Sequence, residues 1–189
     1  MIKIEHTVEI EDYLAFERES LTKNEFLYQS IISMAGASFE HNIIAGDLFA
    51  FIWNHLRSQK SNKFVFQNDM RTYNPVNQSF MYPDIVVSDG KPIFREDQKM
   101  DNLMNPILIV EVLSESTAVY DKSDKFIACK SIPSLQEYVL ISTDTPEIEI
   151  YRRESEDHWI LIKQRESISK VHFNSIDFEF ELGEIYERK

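Results

Sequence analysis

NPILIVEVLSEST, residues 105–117, is the most apolar stretch of the chain: between Ile107 and Leu113 six of seven residues are apolar, and only Glu111 interrupts them. A run of this length without polar alternation is the pattern of a central strand covered on both faces. Charged residues are seldom fully buried unless they are paired or bind a metal, so Glu111 needs an explanation beyond solvation.

Working outward, TAVYDKSDKFIACKSI (117–132) is amphipathic, with Tyr120, Phe126, Ile127 and Ile132 expected inside and Pro133 closing the helix. EYVLIS (137–142) reads as a second buried strand. Strand, helix, strand predicts a parallel pair joined by a right-handed crossover. Upstream, KFVFQNDMRTY and FMYPDIVVSDG alternate apolar and polar residues around the turn-like NPVNQS and predict an antiparallel pair. KPIFREDQKMDNLMN reads as a loop. Before these, residues 5–23 read as a helix and EFLYQSIISMAGAS as a β-rich segment. Ser38 is placed to cap FEHNIIAGDLFAFIWNHLRSQK, the clearest helical pattern in the chain. The tail (EIEIYRR, WILIKQRE, Val171 to Leu182) predicts short strands. The expectation is an α/β fold with a mixed central sheet flanked by helices. Residues 1–189 form one domain in this reading, with 1–23 as an N-terminal helical extension and 146–189 as its C-terminal β-rich part.

Composition narrows the function. Twenty basic against 32 acidic residues give a net charge of −12, which disfavours tight metal-free nucleic-acid binding and suits carboxylates awaiting divalent cations. Cys129 is the only cysteine, so no internal disulfide forms. The N-terminus lacks the pattern of a signal peptide and no run approaches a membrane span, which predicts a soluble, cytoplasmic protein with no membrane partner. No GxSxG elbow, CxxC pair or HExxH is present, and four glycines do not make a glycine-rich phosphate cradle.

Asp84 follows Pro83 at the head of the apolar run Ile85-Val86-Val87. Two carboxylates at comparable points of neighbouring strands, Asp84 and Glu111, suit a hard cation such as Mg²⁺ or Mn²⁺, which takes one or two carboxylates, water and substrate phosphate.

These segments together, with YPDIVVSDG, NPILIVEVLSEST, YDKSDKF and IPSLQEYVLIS in order, MAGASFEHN and NDMR upstream and GEIYER downstream, resemble the putative restriction endonuclease family of bacteria. That family is a branch of the PD-(D/E)XK nuclease superfamily, and the likeness spans residues 24 to 188. It implies a restriction-endonuclease-like fold and Mg²⁺- or Mn²⁺-dependent hydrolysis of DNA; homo-oligomerisation is a separate expectation, from apolar tail strands that offer a subunit interface. By resemblance Asp84 is the PD aspartate, Glu111 the acid of the second motif, and the Val112 carbonyl a backbone ligand. The third position of the triplet holds Leu113 rather than lysine; the family's lysine lies in the following helix, where this chain has Lys125. Asp121, four residues earlier, would hold that ammonium. His41 and Glu25 match residues that recur in the family, and Glu40 stands where the superfamily often carries a helix acid; all three are candidates to support the site. The chain departs from the family at Gln29-Ser30, where a Gly-Glu pair is common, and at Cys129, where tyrosine is. Gln29 is expected to alter a turn near the cleft. Asp69 and Arg71 are expected to pair with each other or, as the less favoured alternative, to line the groove. The alternative reading is a catalytically inactive nucleic-acid-binding or oligomeric assembly protein with the same fold.

Overall fold

The computed structural model describes residues 3–4, 7–34, 36–97, 99–114 and 117–188. In chain order the first elements are β1 (Lys3–Ile4), α1 (Ile10–Glu19), β2 (Asn24–Leu27), β3 (Ser30–Ser33) and α2 (Phe39–Ser58). Then come β4 (Val65–Gln67), β5 (Arg71–Asn74), β6 (Ser79–Met81), β7 (Ile85–Ser88), β8 (Asn102–Leu103) and β9 (Pro106–Leu113). A helical segment follows, made of α3 (Ala118–Tyr120), a π-helical turn (Asp121–Lys125) and α4 (Phe126–Cys129). β10 (Glu137–Ser142), β11 (Ile148–Ser155), β12 (His158–Gln164), β13 (Lys170–Phe173) and β14 (Phe178–Glu181) complete the chain with two short 3₁₀ turns.

β9 sits inside a mixed sheet of order β12-β11-β10-β9-β7-β4, parallel to β10 and antiparallel to β7. The mixed α/β architecture read from the pattern is present. Because side chains alternate along a strand, Leu108, Val110 and Val112 enter one core with Ile44, Leu48, Ile52 and Leu56 of α2. Ile109 and Leu113 enter another, with Ala128, Cys129, Ile132 and Tyr138. Glu111 therefore shares the face that looks toward the helical segment.

A second six-stranded sheet, β1-β3-β2-β6-β5-β8, was not anticipated. The segments read as one antiparallel pair belong to two sheets: β4 pairs with β7 beside β9, whereas β5 pairs with β6 in the second sheet. Period-two alternation marks strands but does not say which partner each one takes. The loop-like stretch also yields β8, paired in parallel with β5.

Local chemistry explains most boundaries. The β2–β3 hairpin turns on Tyr28 (φ 50°) and Gln29 (φ 62°), both left-handed, the turn geometry that matches the twist of paired strands. Ser38 caps α2 by accepting the His41 N–H. The N-terminal helix is shorter than expected, 10–19 rather than 5–23; residues 5 and 6 lie outside the described residues. It buries Tyr13 and Leu14 against Phe26 and Phe80 of the second sheet. Ile127, expected inside, is 48% exposed. The π-helical turn shifts the buried face of the segment from the purely α-helical spacing. Among the described residues no helix is long and apolar enough to cross a membrane.

Candidate active site

Asp84 immediately precedes β7, whose antiparallel register pairs Ile85 with Val110. Carried one residue further, that register sets Asp84 opposite Glu111, and directly opposed residues project to the same face of a sheet. Both line one cleft of about 320 Å³, together with Glu25, His41, Asp121 and Lys125. Glu40, next to His41 in the first turn of α2, does not line it.

Asp84 is anchored at one oxygen. Its Oδ2 accepts the Val112 N–H at 2.8 Å and lies 3.0 Å from His41 Nε2. The first contact ties the residue before β7 to β9; the second ties it to the start of α2. Burial opposes a charged His41 ring, but the hydrogen bond and charge of Asp84 outweigh it, and the imidazole pKa is raised. Its other nitrogen, Nδ1, is buried without a hydrogen-bond partner.

Lys125 is the centre of the site and is 2% exposed. Its Nζ lies 2.9 Å from Glu25 Oε1, 2.9 Å from Glu111 Oε1 and 3.7 Å from Asp121 Oδ1. Asp121 and Lys125 are thus far from the exposed i, i+4 pair that sequence spacing alone suggests. Burial would depress the lysine, yet Glu111, Glu25 and Asp121 hold its pKa well above the ordinary value, so it stays an ammonium. For Glu111 the balance is reversed: burial pushes its pKa well up, only partly countered by Lys125. Asp121 is raised by burial as well. Glu111 and Asp121, beside this cationic centre, thus hold their protons more tightly than an ordinary carboxyl.

Glu25 comes from the second sheet and closes the site from that side. Oε1 accepts the Tyr82 N–H at 2.8 Å, and Oε2 accepts the Tyr120 hydroxyl at 2.5 Å. Tyr120 was expected only as a core residue. Its hydroxyl role has no local signal, because Glu25 lies 95 residues away. The π-helical turn presents both Asp121 and Lys125 inward, and the Tyr138 hydroxyl donates to the Asp121 carbonyl there at 2.9 Å. A single wide turn within an α-helix often marks a functional position.

Several expectations change. Asp69 and Arg71 do not pair: Asp69 meets Lys23 at the rim, and Arg71 is buried against Asn102 and Asp101. Asp69 stands exposed in the turn between β4 and β5, whereas Arg71 opens β5 with its side chain buried. Gln29 lines a different groove, near Val8 and Ile10, rather than the cleft. Cys129 packs in the core with its sulfur 3.4 Å from that of Met81.

Residues 10–182 match the family described as "Putative restriction endonuclease" (Uma2). The chain belongs to this family. An uncharacterized protein of Synechocystis, sll1609, is 34% identical over 163 residues, covering 86% of this chain and 90% of that protein. A second Synechocystis protein, slr1290, is 29% identical, with 93% and 90% covered. The fold is similar to that of a crystal structure titled as a putative nuclease belonging to DUF820 from Anabaena variabilis, with TM-score 0.76 and 17% identity. The match covers 95% of this chain and 97% of that one.

The donor set bears on the metal that such nucleases imply. Among the described residues no three His, Cys, Asp or Glu side chains are gathered closely enough to hold an ion by themselves. A hard divalent ion does not require three, since water and substrate phosphate fill its remaining positions. Glu111 Oε1 is buried and, although 2.9 Å from Lys125 Nζ, lacks a hydrogen bond of acceptable direction. A buried carboxylate oxygen left without a hydrogen bond, on a residue that lines the cleft with Asp84, fits an oxygen-seeking cation.

Proposed function

We propose that the cleft is the active site of a divalent-metal-dependent endonuclease that hydrolyses phosphodiester bonds in DNA. The observation that carries this reading is the arrival of Asp84, Glu111 and Lys125 in one cleft, from three different elements, with a Glu111 oxygen lacking a hydrogen bond. Asp84 and Glu111 would hold Mg²⁺ or Mn²⁺, with the Val112 carbonyl as a backbone candidate. Bound there, the ion would supply Lewis-acid polarisation of the phosphate and acidify a coordinated water.

The chain's own residues divide the remaining work. Lys125 keeps its proton, so its role is electrostatic: a fixed positive charge facing the negative charge that builds on the transferring phosphate. Glu25 and Asp121 fix the direction of that ammonium, and Tyr120 fixes Glu25. His41 and the Val112 N–H hold Asp84 by one oxygen.

A second reading has one observation in its favour. Lys125 already neutralises Glu111 at 2.9 Å, as it would in a metal-free relative that binds nucleic acid without turnover. Calorimetric titration with Mn²⁺, run beside cleavage of supercoiled plasmid, separates the two. The nuclease reading expects stoichiometric Mn²⁺ binding and nicking, both lost in Glu111→Gln. A wild-type protein that folds, takes up no Mn²⁺ and leaves plasmid intact overturns it.

A further inference from the structure

The longest stretch of the chain without an acidic residue runs from Leu48 to Asn68, in a protein with 32 acids among 189 residues. It contains Arg57, Lys60 and Lys63, and these line a groove of about 540 Å³ with Trp53 and Phe64. The two residues are 45% and 49% exposed. The Arg57 guanidinium lies over the Trp53 ring, 5.3 Å from its centre. Cations interleaved with exposed aromatic faces, on an otherwise acidic body, match a polynucleotide whose bases are free to stack.

Lys60 supplies a separate observation. It follows the end of α2 with φ 50°, where glycine is the residue at ease. The Ser61 N–H donates to the Leu56 carbonyl and the Lys60 N–H to the Arg57 carbonyl, so the turn is closed around this strained position. The side chain held at this position is a lysine that lines the groove.

The groove and the cleft lie at opposite ends of β4. Phe64 and Val65 line the groove, Asn68 lines the cleft, and β4, the edge strand of the main sheet, connects them. Four residues of extended chain span about 13 Å at roughly 3.3 Å each. Lys23 donates to the Asn68 carbonyl at 3.0 Å and marks the cleft end of this track.

We infer that the Trp53–Phe64 groove binds single-stranded DNA, holding one strand of the nucleic acid along the β4 edge beside the cleft. The assignment of DNA rests on the nuclease reading; the binding itself does not. The test is therefore made in EDTA, with the full chain and a fluorescein-labelled oligothymidylate of about 12 nucleotides at about 50 mM salt. Trp159→Phe leaves Trp53 as the only tryptophan. The expected result is quenching of Trp53 on binding and a slope of log K against log salt of about −2, from three cations at roughly −0.7 each. Lys60→Glu/Lys63→Glu should weaken binding at least tenfold. Lys60→Gly should weaken it while keeping or raising the melting temperature, which excludes misfolding as the cause. Unchanged affinity in these variants overturns the proposal. So does tighter binding of the matching duplex, or a dimer in sedimentation that the double substitution dissolves. Loss of plasmid nicking with quenching intact would sink the nuclease reading alone.

Discussion

Two glutamates lie buried on adjacent parallel strands, and they are built differently. Glu137, at the start of β10, has every oxygen occupied. Its Oε1 accepts Arg152 Nε at 2.9 Å and the Asn174 N–H at 3.1 Å; its Oε2 accepts the Ser175 N–H at 2.8 Å and hydroxyl at 2.6 Å. It pins the C-terminal hairpin to the sheet. Glu111, on β9, faces a cleft, meets an ammonium off the hydrogen-bonding direction and keeps one oxygen without a hydrogen bond. Burial of an acid is therefore no mark of a site. Incomplete satisfaction beside a cleft is what sets Glu111 apart from Glu137.

The largest effects test the charge balance of each centre. Lys125→Met leaves Glu25, Glu111 and Asp121 without their shared cation, and should cost about 3–5 kcal/mol of stability at neutral pH. Urea denaturation should show a smaller loss near pH 5, because carboxyls freed of the cation can take up protons. Glu137→Gln strands Arg152 and should cost a similar amount, about 3 kcal/mol or more. A loss below about 1 kcal/mol would place Glu137 among ordinary surface pairs.

Glu111→Gln should behave in the opposite way. The amide copies the shape of the protonated acid, whose raised pKa already makes the charged form costly. A carboxyl with a raised folded pKa weakens the fold as pH climbs above its unfolded value, and the substitution removes that penalty. In EDTA the variant should melt at or above the parent temperature. A melting point many degrees lower would make Glu111 a structural ion-pair residue like Glu137. The same raised pKa predicts that Mn²⁺ displaces a proton, so its affinity should rise with pH and its binding enthalpy should vary with buffer ionisation.

The smallest effect concerns His41. Its raised pKa contributes stability that is complete below the unfolded value of 6.5 and is lost as pH rises through the higher folded value. Melts of the parent and Asp84→Asn between about pH 6 and 8 should therefore converge toward the alkaline end. Parallel curves would remove the charge from this contact.

Much of the candidate site was legible because its signals are local. An acid inside an apolar run marks Glu111; a proline and an apolar triplet mark Asp84; strand, helix, strand places β9 beside β10. Lys125 and His41 rested on likeness to a family. The rest depends on contacts between distant segments. Glu137 opens an ordinary apolar strand, and its partners lie on β11 and near Ser175. Tyr120 meets Glu25 only because the second sheet folds over the cleft. Asp69 and Arg71 are neighbours in the chain that face different partners.

The wide turn at Asp121–Lys125 holds one residue more than an α-helical turn would. A residue advances an α-helix by about 100°. Deleting one residue between 121 and 124 would let the segment close as a regular helix, with α4 kept in the core by Ala128 and Cys129. Tyr120 would then rotate away from Glu25, and the acid facing Lys125 would change, although no residue of the centre had been substituted. In lineage terms, a single lost codon is a route from an assembled centre to an inert one that leaves every motif readable in the sequence.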